Sequence, residues 1–105
     1  MNFRTTELFD KQAKKLGKKY KNLKHDLTSL FSNFETLHQQ SISIQKNLYK
    51  IRLANSNKNK GKSAGYRIYY YMQLEETTYL LTIYDKSDVE MIDEGLLSEL
   101  IEGLE

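Results

Sequence analysis

The sequence predicts an α+β fold, in which two N-terminal helices pack on a twisted antiparallel sheet and a short C-terminal helix ends the chain. Two observations predict it. Apolar residues recur at helical spacing through the first forty residues, and three later segments alternate apolar with polar residues as half-buried strands do. The chain has 105 residues, which is a usual size for one domain, so we expect 1–105 to form a single domain.

The helical pattern falls into two stretches. Thr6 is a suitable N-cap for a first helix, and Gly17 is expected to break or end it. The second stretch runs from Leu23 to Leu37 with the clearest helical period in the chain. We expect these helices to form an antiparallel hairpin on the sheet, with residues 1–5 as a short edge strand and 38–46 as a connection. Asp93 is expected to cap the last helix.

Three strands are predicted at roughly 47–54, 64–74 and 78–85. In the first, Tyr49, Ile51 and Leu53 share one face, so Lys50 and Arg52 share the other. The second strand has Tyr66, Ile68 and Tyr70 on one face and Arg67, Tyr69 and Tyr71 opposite, and in the third Tyr79, Leu81 and Ile83 are expected to point inward, with Leu80, Thr82, Tyr84 and Lys86 outward. If the strands are adjacent, one face presents four cations and a phenol, a set that suits a polyanion: Lys50, Arg52, Arg67, Tyr84 and Lys86.

The formal net charge of +2 conceals a segregation of charge along the chain. From Thr36 to Leu74 there is no acidic residue, and from Ser87 to the end there is no basic one. The cations of the middle segment are Lys46, Lys50, Arg52, Lys58, Lys60, Lys62 and Arg67. Basic patches of this kind attract phosphate backbones, although a solvated surface is the alternative. The polar loop from Asn55 to Ser63 is expected to be mobile.

Composition excludes or disfavours several classes of site. The chain has no cysteine, which excludes disulfides and thiolate zinc sites. His25 and His38 are too far apart to share a helix face as a metal pair, so we expect two surface histidines and no metal or cofactor. The run Lys60-Gly61-Lys62-Ser63 lacks the first glycine of a P-loop. No apolar run reaches the length of a membrane span and no signal peptide is evident, so a cytoplasmic protein is expected.

The chemistry that remains is phosphate chemistry carried out by cations. RNA cleavage needs a base for the 2′-hydroxyl, stabilisation of the charged transition state and an acid for the leaving oxygen. Lysines and arginines supply the charge stabilisation, and a tyrosine can move a proton or stack on a base. A sheet that only binds RNA would have the same spacing, so the residues alone leave both possibilities open.

Three segments, taken in order, resemble the RelE/HigB toxins of bacterial type II toxin–antitoxin systems, most closely the HigB-like branch. They are Tyr49-Lys50-Ile51-Arg52-Leu53, then Lys60-Gly61-Lys62-Ser63-Ala64-Gly65-Tyr66-Arg67-Ile68-Tyr69-Tyr70, then Ile83-Tyr84-Asp85-Lys86-Ser87-Asp88. The resemblance covers nearly the whole chain. It implies a RelE-like, microbial-ribonuclease-like fold and a metal-independent endoribonuclease that cleaves mRNA in the ribosomal A site by attack of the 2′-hydroxyl. It also implies a cognate antitoxin, for which a helix-turn-helix protein is one candidate, and the ribosome as partners.

The resemblance also assigns roles to residues. The family's catalytic cations match Lys50, Arg52, Arg67 and Lys86, while the loop cations Lys58, Lys60 and Lys62 are expected to bind RNA. Some members carry a catalytic tyrosine at a position that falls near Ile92 here, and no tyrosine follows Tyr84. Tyr84 is therefore the candidate for that role, and Tyr69 and Tyr71 are candidates for base stacking. Two alternatives stay open: a ParE-like gyrase poison, although that branch lacks this cationic set, and a non-enzymatic RNA-binding module.

Overall fold

The computed structural model describes residues 2–58, 65–73, 76–88 and 92–104, and within these ranges it has an α+β architecture. The chain order is β1 (Asn2–Thr5), α1 (Glu7–Lys19), α2 (Leu23–Ser32), α3 (Phe34–Gln39), β2 (Ile42–Gln45), β3 (Leu48–Leu53), β4 (Tyr66–Met72), β5 (Thr77–Asp85) and α4 (Glu94–Glu102). The strands form one sheet in the order β1-β5-β4-β3-β2. The expected α+β class is confirmed.

The sheet is mixed, so the expectation of a purely antiparallel sheet is wrong at one edge. β1 runs parallel to β5, with Asn2 opposite Thr77 and Thr5 opposite Leu80, whereas the other three pairs are antiparallel. Parallel neighbours need a long crossover, which the intervening helices and strands supply here. Alternation in a sequence shows that a segment is a strand but not which way it runs beside a neighbour.

The first helix begins as predicted and ends later than predicted. Thr6 Oγ1 accepts a hydrogen bond from the Phe9 amide at 3.0 Å and donates to the Leu81 carbonyl at 2.7 Å, so the cap also fixes α1 to β5. Gly17 does not end the helix, which continues to Lys19. A glycine inside a helix costs only about 1 kcal/mol relative to alanine. The packing of α1 on the sheet is enough to offset that cost.

The predicted second helix is divided at Asn33 into α2 and α3, so three helices precede β2 instead of two. The Asn33 side chain donates to the Ser29 carbonyl at 3.0 Å, a local bond that competes with regular helix geometry. The apolar period survives the break, because Leu30 of α2 and Phe34 of α3 are both buried in the same core.

The strand β2 lies in the segment that was expected to be only a connection. It is four residues long and, among the described residues, pairs with β3 alone; its register shifts between Ser43 and Gln45. Its Ile42 is 44% exposed. Ile42 and Ile44 alternate with Ser43 and Gln45, but a pattern of four residues is too short to distinguish a strand from a connection.

The two faces of the sheet carry two separate apolar clusters. On the helix side, residues of β3, β4 and β5 pack against α1, α2 and α3; the buried strand members are Ile51, Leu53, Tyr66, Ile68, Tyr70, Leu80 and Ile83. On the other face Leu48, Tyr69, Leu81 and Tyr84 pack against Leu97 of α4. The faces predicted for β3 and β4 are therefore confirmed, and the second face is partly covered by α4.

The faces predicted for β5 are half wrong because of a β-bulge. Tyr69 lies opposite Thr82 while Tyr70 lies opposite Leu80, so Leu81 is an extra residue in β5. One inserted residue reverses the alternation on one side of the bulge. Leu80 therefore packs on the helix side and Leu81, with Tyr79, on the α4 side, the reverse of the prediction; after the bulge Ile83 and Tyr84 lie as predicted.

Gly65→Ala should destabilise the protein. A Cβ at Gly65 would lie 2.2 Å from the Leu53 carbonyl oxygen and 3.0 Å from the Asn55 amide nitrogen. Backbone atoms cannot rotate away as side chains can, so we expect a loss of about 1–3 kcal/mol in the free energy of unfolding, measured by urea denaturation.

Gly17→Ala is the matched control for this prediction. Its Cβ would meet only Leu23 Cδ2, at an ordinary 4.0 Å, so alanine should stabilise α1 by up to about 1 kcal/mol. Equal effects of the two substitutions would contradict the close approach at Gly65.

Candidate nucleic-acid interface

Three site residues form one row across the sheet, on the face opposite α1–α3. Arg52 of β3 lies directly opposite Arg67 of β4, and Arg67 lies directly opposite Tyr84 of β5. Side chains of directly opposed residues are immediate neighbours, with Cβ atoms about 5 Å apart. We call Arg52, Arg67 and Tyr84 the arginine row.

The centre of the row is buried. Arg67 is 4% exposed, and its Nη1 donates to the carbonyl oxygens of Gly65 at 3.2 Å and Tyr66 at 3.3 Å. Burial, and next the charge of Arg52, lower the pKa of Arg67, although a guanidinium remains protonated near neutral pH. Two cations directly opposite each other on adjacent strands destabilise a sheet. The charge of Asp85 offsets part of the repulsion between Arg52 and Arg67, and an anion bound at Arg52 would reduce it further.

Lys50 and Lys86 lie beside the row. Lys50 is opposite Tyr69 in the β3–β4 register, and its Nζ lies 5.9 Å from the centre of the Tyr69 ring. Lys86 is exposed and directly follows β5, and its amide donates to the Gly65 carbonyl at 3.1 Å. The chain after β5 therefore stays paired with the start of β4. The Lys86 backbone lies next to Gly65, two residues beyond Tyr84.

The tyrosines of this face are packed rather than open. The Tyr69 and Tyr84 rings stack with centroids 6.5 Å apart, and both are less than a tenth exposed. Burial, followed by the neighbouring Tyr84, raises the pKa of Tyr69 to about 12. Tyr69 and Tyr84 pack against Leu97 of α4, while Tyr71 is half-buried at the margin of the same cluster. The sequence did not predict that α4 would cover the rings proposed to meet RNA.

Lys58 has a structural partner that the sequence analysis missed. Its Nζ donates to Asp85 Oδ1 at 2.5 Å, and lies 5.1 Å from the centre of the Tyr20 ring. The fully buried Asp85 also accepts from Asn55 Nδ2 at 3.0 Å and from the Ser87 amide at 2.9 Å. Of the three loop cations expected to bind RNA, Lys58 is thus engaged in an ion pair, and Lys60 and Lys62 lie outside the described residues.

The first residues of the loop expected to be mobile are held by hydrogen bonds. The Ser56 amide donates to Asp26 of α2 at 3.1 Å, and Asn57 Oδ1 accepts from the Asn22 amide at 3.2 Å. Asn55 is 2% exposed. The segment 55–58 is therefore packed between α2 and the end of β5. The sequence signal that could have predicted this buried network is Asp85, a carboxylate placed directly after Tyr84 at the end of an apolar strand.

His38 is not the surface histidine that was expected. It is half-buried on the helix side of the sheet, where its Nδ1 shares a 2.7 Å hydrogen bond with the Tyr70 hydroxyl and its ring stacks on Phe34. Burial raises the pKa of Tyr70 to about 12, so its phenol stays protonated. His38 is on the opposite face from the arginine row and supplies no general base there. His25 is exposed, as predicted.

Comparison with known proteins gives no family assignment, since neither a protein-family model nor a curated protein matches the chain. In the part of the chain that the structure describes, no group of three or more histidine, cysteine or acidic side chains could hold a metal ion. The described helices are too short or too polar to cross a membrane.

Asp85→Asn should remove a pH-dependent part of the stability. Burial alone would raise the pKa of Asp85, but hydrogen bonds from Lys58, Ser87 and Asn55 outweigh it and lower the pKa to about 2 from 3.8. The folded state thus favours the carboxylate. The resulting stabilisation, roughly 2 kcal/mol, is complete above the unfolded pKa and is lost as the pH falls through the folded one.

Urea unfolding of wild type and Asp85→Asn should therefore differ most near neutral pH and converge between about pH 4 and about pH 2. Glu99→Gln, at an exposed position of α4, is the control and should leave the profile unchanged. A difference between wild type and Asp85→Asn that does not vary with pH would show that the ion pair is not its source.

Proposed function

We propose that this chain is the toxin of a type II toxin–antitoxin module, with a RelE-like fold. It acts in the cytoplasm as a ribosome-dependent mRNA endonuclease, which cleaves mRNA in the A site by attack of the 2′-hydroxyl and so inhibits translation. The observation that carries the proposal is the arginine row, in which two opposed arginines and a tyrosine share one face with Lys50. The resemblance of the three sequence segments supports the same conclusion.

The electrostatics of the row suit a phosphate. Arg52 forms no ion pair with any described carboxylate. Its charge acts on that of Arg67, so a phosphate bound at Arg52 would reduce their mutual repulsion and would accept charge-assisted hydrogen bonds from Arg52. Such donors stabilise the charge that develops on the non-bridging oxygens during 2′-hydroxyl attack. No metal is needed, because the ribose supplies the nucleophile.

The exposure of the residues determines which ones meet RNA first. Arg52 and Lys86 are exposed and Lys50 is half-buried, whereas α4 covers the rings of Tyr69 and Tyr84. The exposed cations therefore bind the phosphate backbone, and Arg67 acts from beneath as a fixed positive charge. Tyr84 is the phenol nearest the arginines in register, which makes it the candidate for proton transfer to or from the cleaved linkage.

Arg52→Ala and Lys86→Ala should each lower the rate of mRNA cleavage about a hundredfold, since removing one donor that stabilises a transition state costs about 3 kcal/mol. Both side chains are exposed, so neither substitution should lower the free energy of unfolding, and Arg52→Ala, which removes the repulsion of Arg67, should raise it slightly. Primer extension on a reporter mRNA translated by purified ribosomes measures the cleavage. Arg67→Lys keeps the buried charge but loses the planar fork, and should lie between these variants and wild type.

Lys11→Ala, on the exposed surface of α1, is the matched control and should cleave at the wild-type rate. Retention of full cleavage by folded Arg52→Ala and Lys86→Ala would remove the row from the site. RNA binding without cleavage by the wild type would instead favour the RNA-binding module, and growth arrest with intact mRNA would favour a gyrase poison.

Tyr84→Phe separates two roles of this ring. Phenylalanine keeps the stacking on Tyr69 but has no hydroxyl. If the phenol moves a proton, the cleavage rate should fall by about a hundredfold or more with RNA affinity unchanged. A rate within about twofold of wild type would assign Tyr84 to packing alone.

A further inference from the structure

A pocket lies between α1 and the edge of β5, beyond the end of β1. β1 pairs with β5 only as far as Leu80, so among the described residues the rest of β5 has no strand on that side. The pocket has a volume of about 450 Å³, within the range of about 300–1,000 Å³ that is typical of small-molecule sites. We call it the edge pocket, and its lining includes Gln12, Lys15, Leu16, Lys19, Tyr84 and Asp88.

The edge pocket combines an apolar floor with polar groups from one face of α1. The four residues of α1 that line it are spaced as i, i+3, i+4 and i+7, so they share one side of the helix. Leu16, which is half-buried, and Ile83 of β5 supply the apolar floor. A pocket with an apolar lining and a few placed polar groups is the usual form of a small-molecule site.

The negative charges beside the edge pocket are each paired with a lysine. Asp85, which also lines the pocket, forms an ion pair with Lys58, and Asp88 accepts a hydrogen bond from Lys19 Nζ at 2.8 Å. Lys15 is exposed and forms no ion pair with a carboxylate in the described ranges. The charge left over at the pocket is therefore positive, which suits a ligand that carries a phosphate.

Gln12 places a hydrogen-bond donor beside the apolar floor. Its Oε1 accepts from the Ile83 amide at 2.9 Å and from the Thr82 hydroxyl at 2.7 Å. A backbone amide can only donate, so the atom that faces it must be the oxygen, and the NH₂ group of Gln12 points away from β5. No described residue accepts a hydrogen bond from that NH₂ group. The strand thus holds Gln12 in one orientation, with its donor available to a ligand.

Tyr84 joins the edge pocket to the arginine row. The row crosses the sheet from Arg52 through Arg67 to Tyr84, and the pocket lies at the next position, past the edge of β5. Adjacent strands are about 4.8 Å apart, so β3 and β5 are separated by about 10 Å. Because β1 has ended before this point, no described strand separates the row from the pocket. An RNA strand with a phosphate at Arg52 can therefore place a neighbouring nucleotide in the edge pocket.

A nucleobase matches both the floor and the donor. Its face is apolar enough to lie against Leu16, and its edge carries acceptors for the NH₂ group of Gln12. Guanine and uracil have a keto oxygen where adenine and cytosine have an exocyclic amino group, which cannot accept from Gln12. A phosphate alone would satisfy Lys15 but would leave the apolar floor in contact with water, and an aliphatic ligand would leave the donor unpaired.

We propose that the edge pocket binds a guanine or uracil base of the mRNA, next to the nucleotide whose phosphate lies at the arginine row. This inference rests on the proposed function and makes Gln12 a residue that determines sequence preference. Single-stranded RNA is commonly recognised in this way, through unstacked bases held by side chains. Lys15 binds the phosphate of the same nucleotide, and the ion pair between Lys19 and Asp88 closes one end of the pocket.

Cleavage of a reporter mRNA with randomised codons, translated by purified ribosomes, tests the role of Gln12. Wild type should favour G or U over A or C at one position by about fivefold or more, the value of one hydrogen bond. Gln12→Glu keeps an acceptor for the Ile83 amide but replaces the donor with an acceptor, so the preference should fall below about twofold or reverse. Gln39→Glu, exposed on α3 outside the pocket, changes the charge equally and should keep the wild-type preference.

Photocrosslinking locates the base without requiring cleavage. Ribosomes carry an mRNA with 4-thiouridine at each position around the A-site codon in turn, and 2′-deoxy nucleotides there block 2′-hydroxyl attack. With wild type, one position should crosslink to the segment 12–19, as mapped by mass spectrometry. Leu16→Trp, whose ring would fill the pocket, should lower that yield by about fivefold or more, with a thermal unfolding curve to show that it is folded. Lys15→Ala should also lower it, whereas Lys18→Ala, exposed on α1 outside the pocket, should not.

The outcomes separate the edge pocket from the proposed function. Cleavage by wild type with a preference for A or C, or with a preference that Gln12→Glu leaves unchanged, would overturn the pocket and leave the endonuclease standing. Crosslinks that never reach the segment 12–19 would also overturn the pocket. Crosslinks to that segment in a wild type that leaves unmodified mRNA intact would instead keep the pocket as the base site of an RNA-binding module and overturn the endonuclease.

Discussion

The buried carboxylate of Asp85 is the interaction on which the geometry around the arginine row depends. It terminates β5 between Tyr84 and Lys86, two members of the proposed site, and it is fully buried. An ionised carboxylate in that position is tolerated only if several donors surround it. Those donors come from the segment 55–58 and from Ser87, so the charge ties the chain after β3 to the end of β5. The arginine row lies between the end of β3 and the end of β5.

Gly65 and the bulge at Leu81 set the register that assembles the row. Without a side chain, Gly65 lets β4 begin against the backbone that leaves β3, which brings Arg67 opposite Arg52. The bulge places both Leu81 and Tyr84 on the face of the sheet that carries the arginine row and α4, although the two residues are three positions apart. Past the end of β1, Gln12 of α1 completes the edge of β5, accepting from the Ile83 amide at 2.9 Å. Each of these local features of the chain determines where side chains of neighbouring strands are placed.

Sequence alternation predicted the strands in which a charged residue separates apolar ones, and it failed where both faces of a strand are apolar or where the pattern is very short. β3 and β4 have distinct faces, and their placement of Arg52 and Arg67 could be predicted. β5 is buried on both faces, so its leucines gave no sign of the bulge, and the alternation of Ile42 and Ile44 in β2 covers only four residues. Tyr69 and Tyr84 could be placed on the correct face but not recognised as covered, because contact with α4 is a tertiary property that no local pattern records.

The acidic C-terminal helix α4 packs on the same face of the sheet as the arginine row. α4 uses its apolar side, through Leu97, to cover Tyr69 and Tyr84, and its glutamates at positions 94, 99 and 102 are exposed. In the described ranges no carboxylate of α4 forms an ion pair with Lys50 or Arg52. Glu94 does act on Tyr69, where its charge is among the smaller causes that raise the pKa of that phenol. Among the described residues the charge of Arg52 thus remains available to an external anion, while the helix beside it contributes packing.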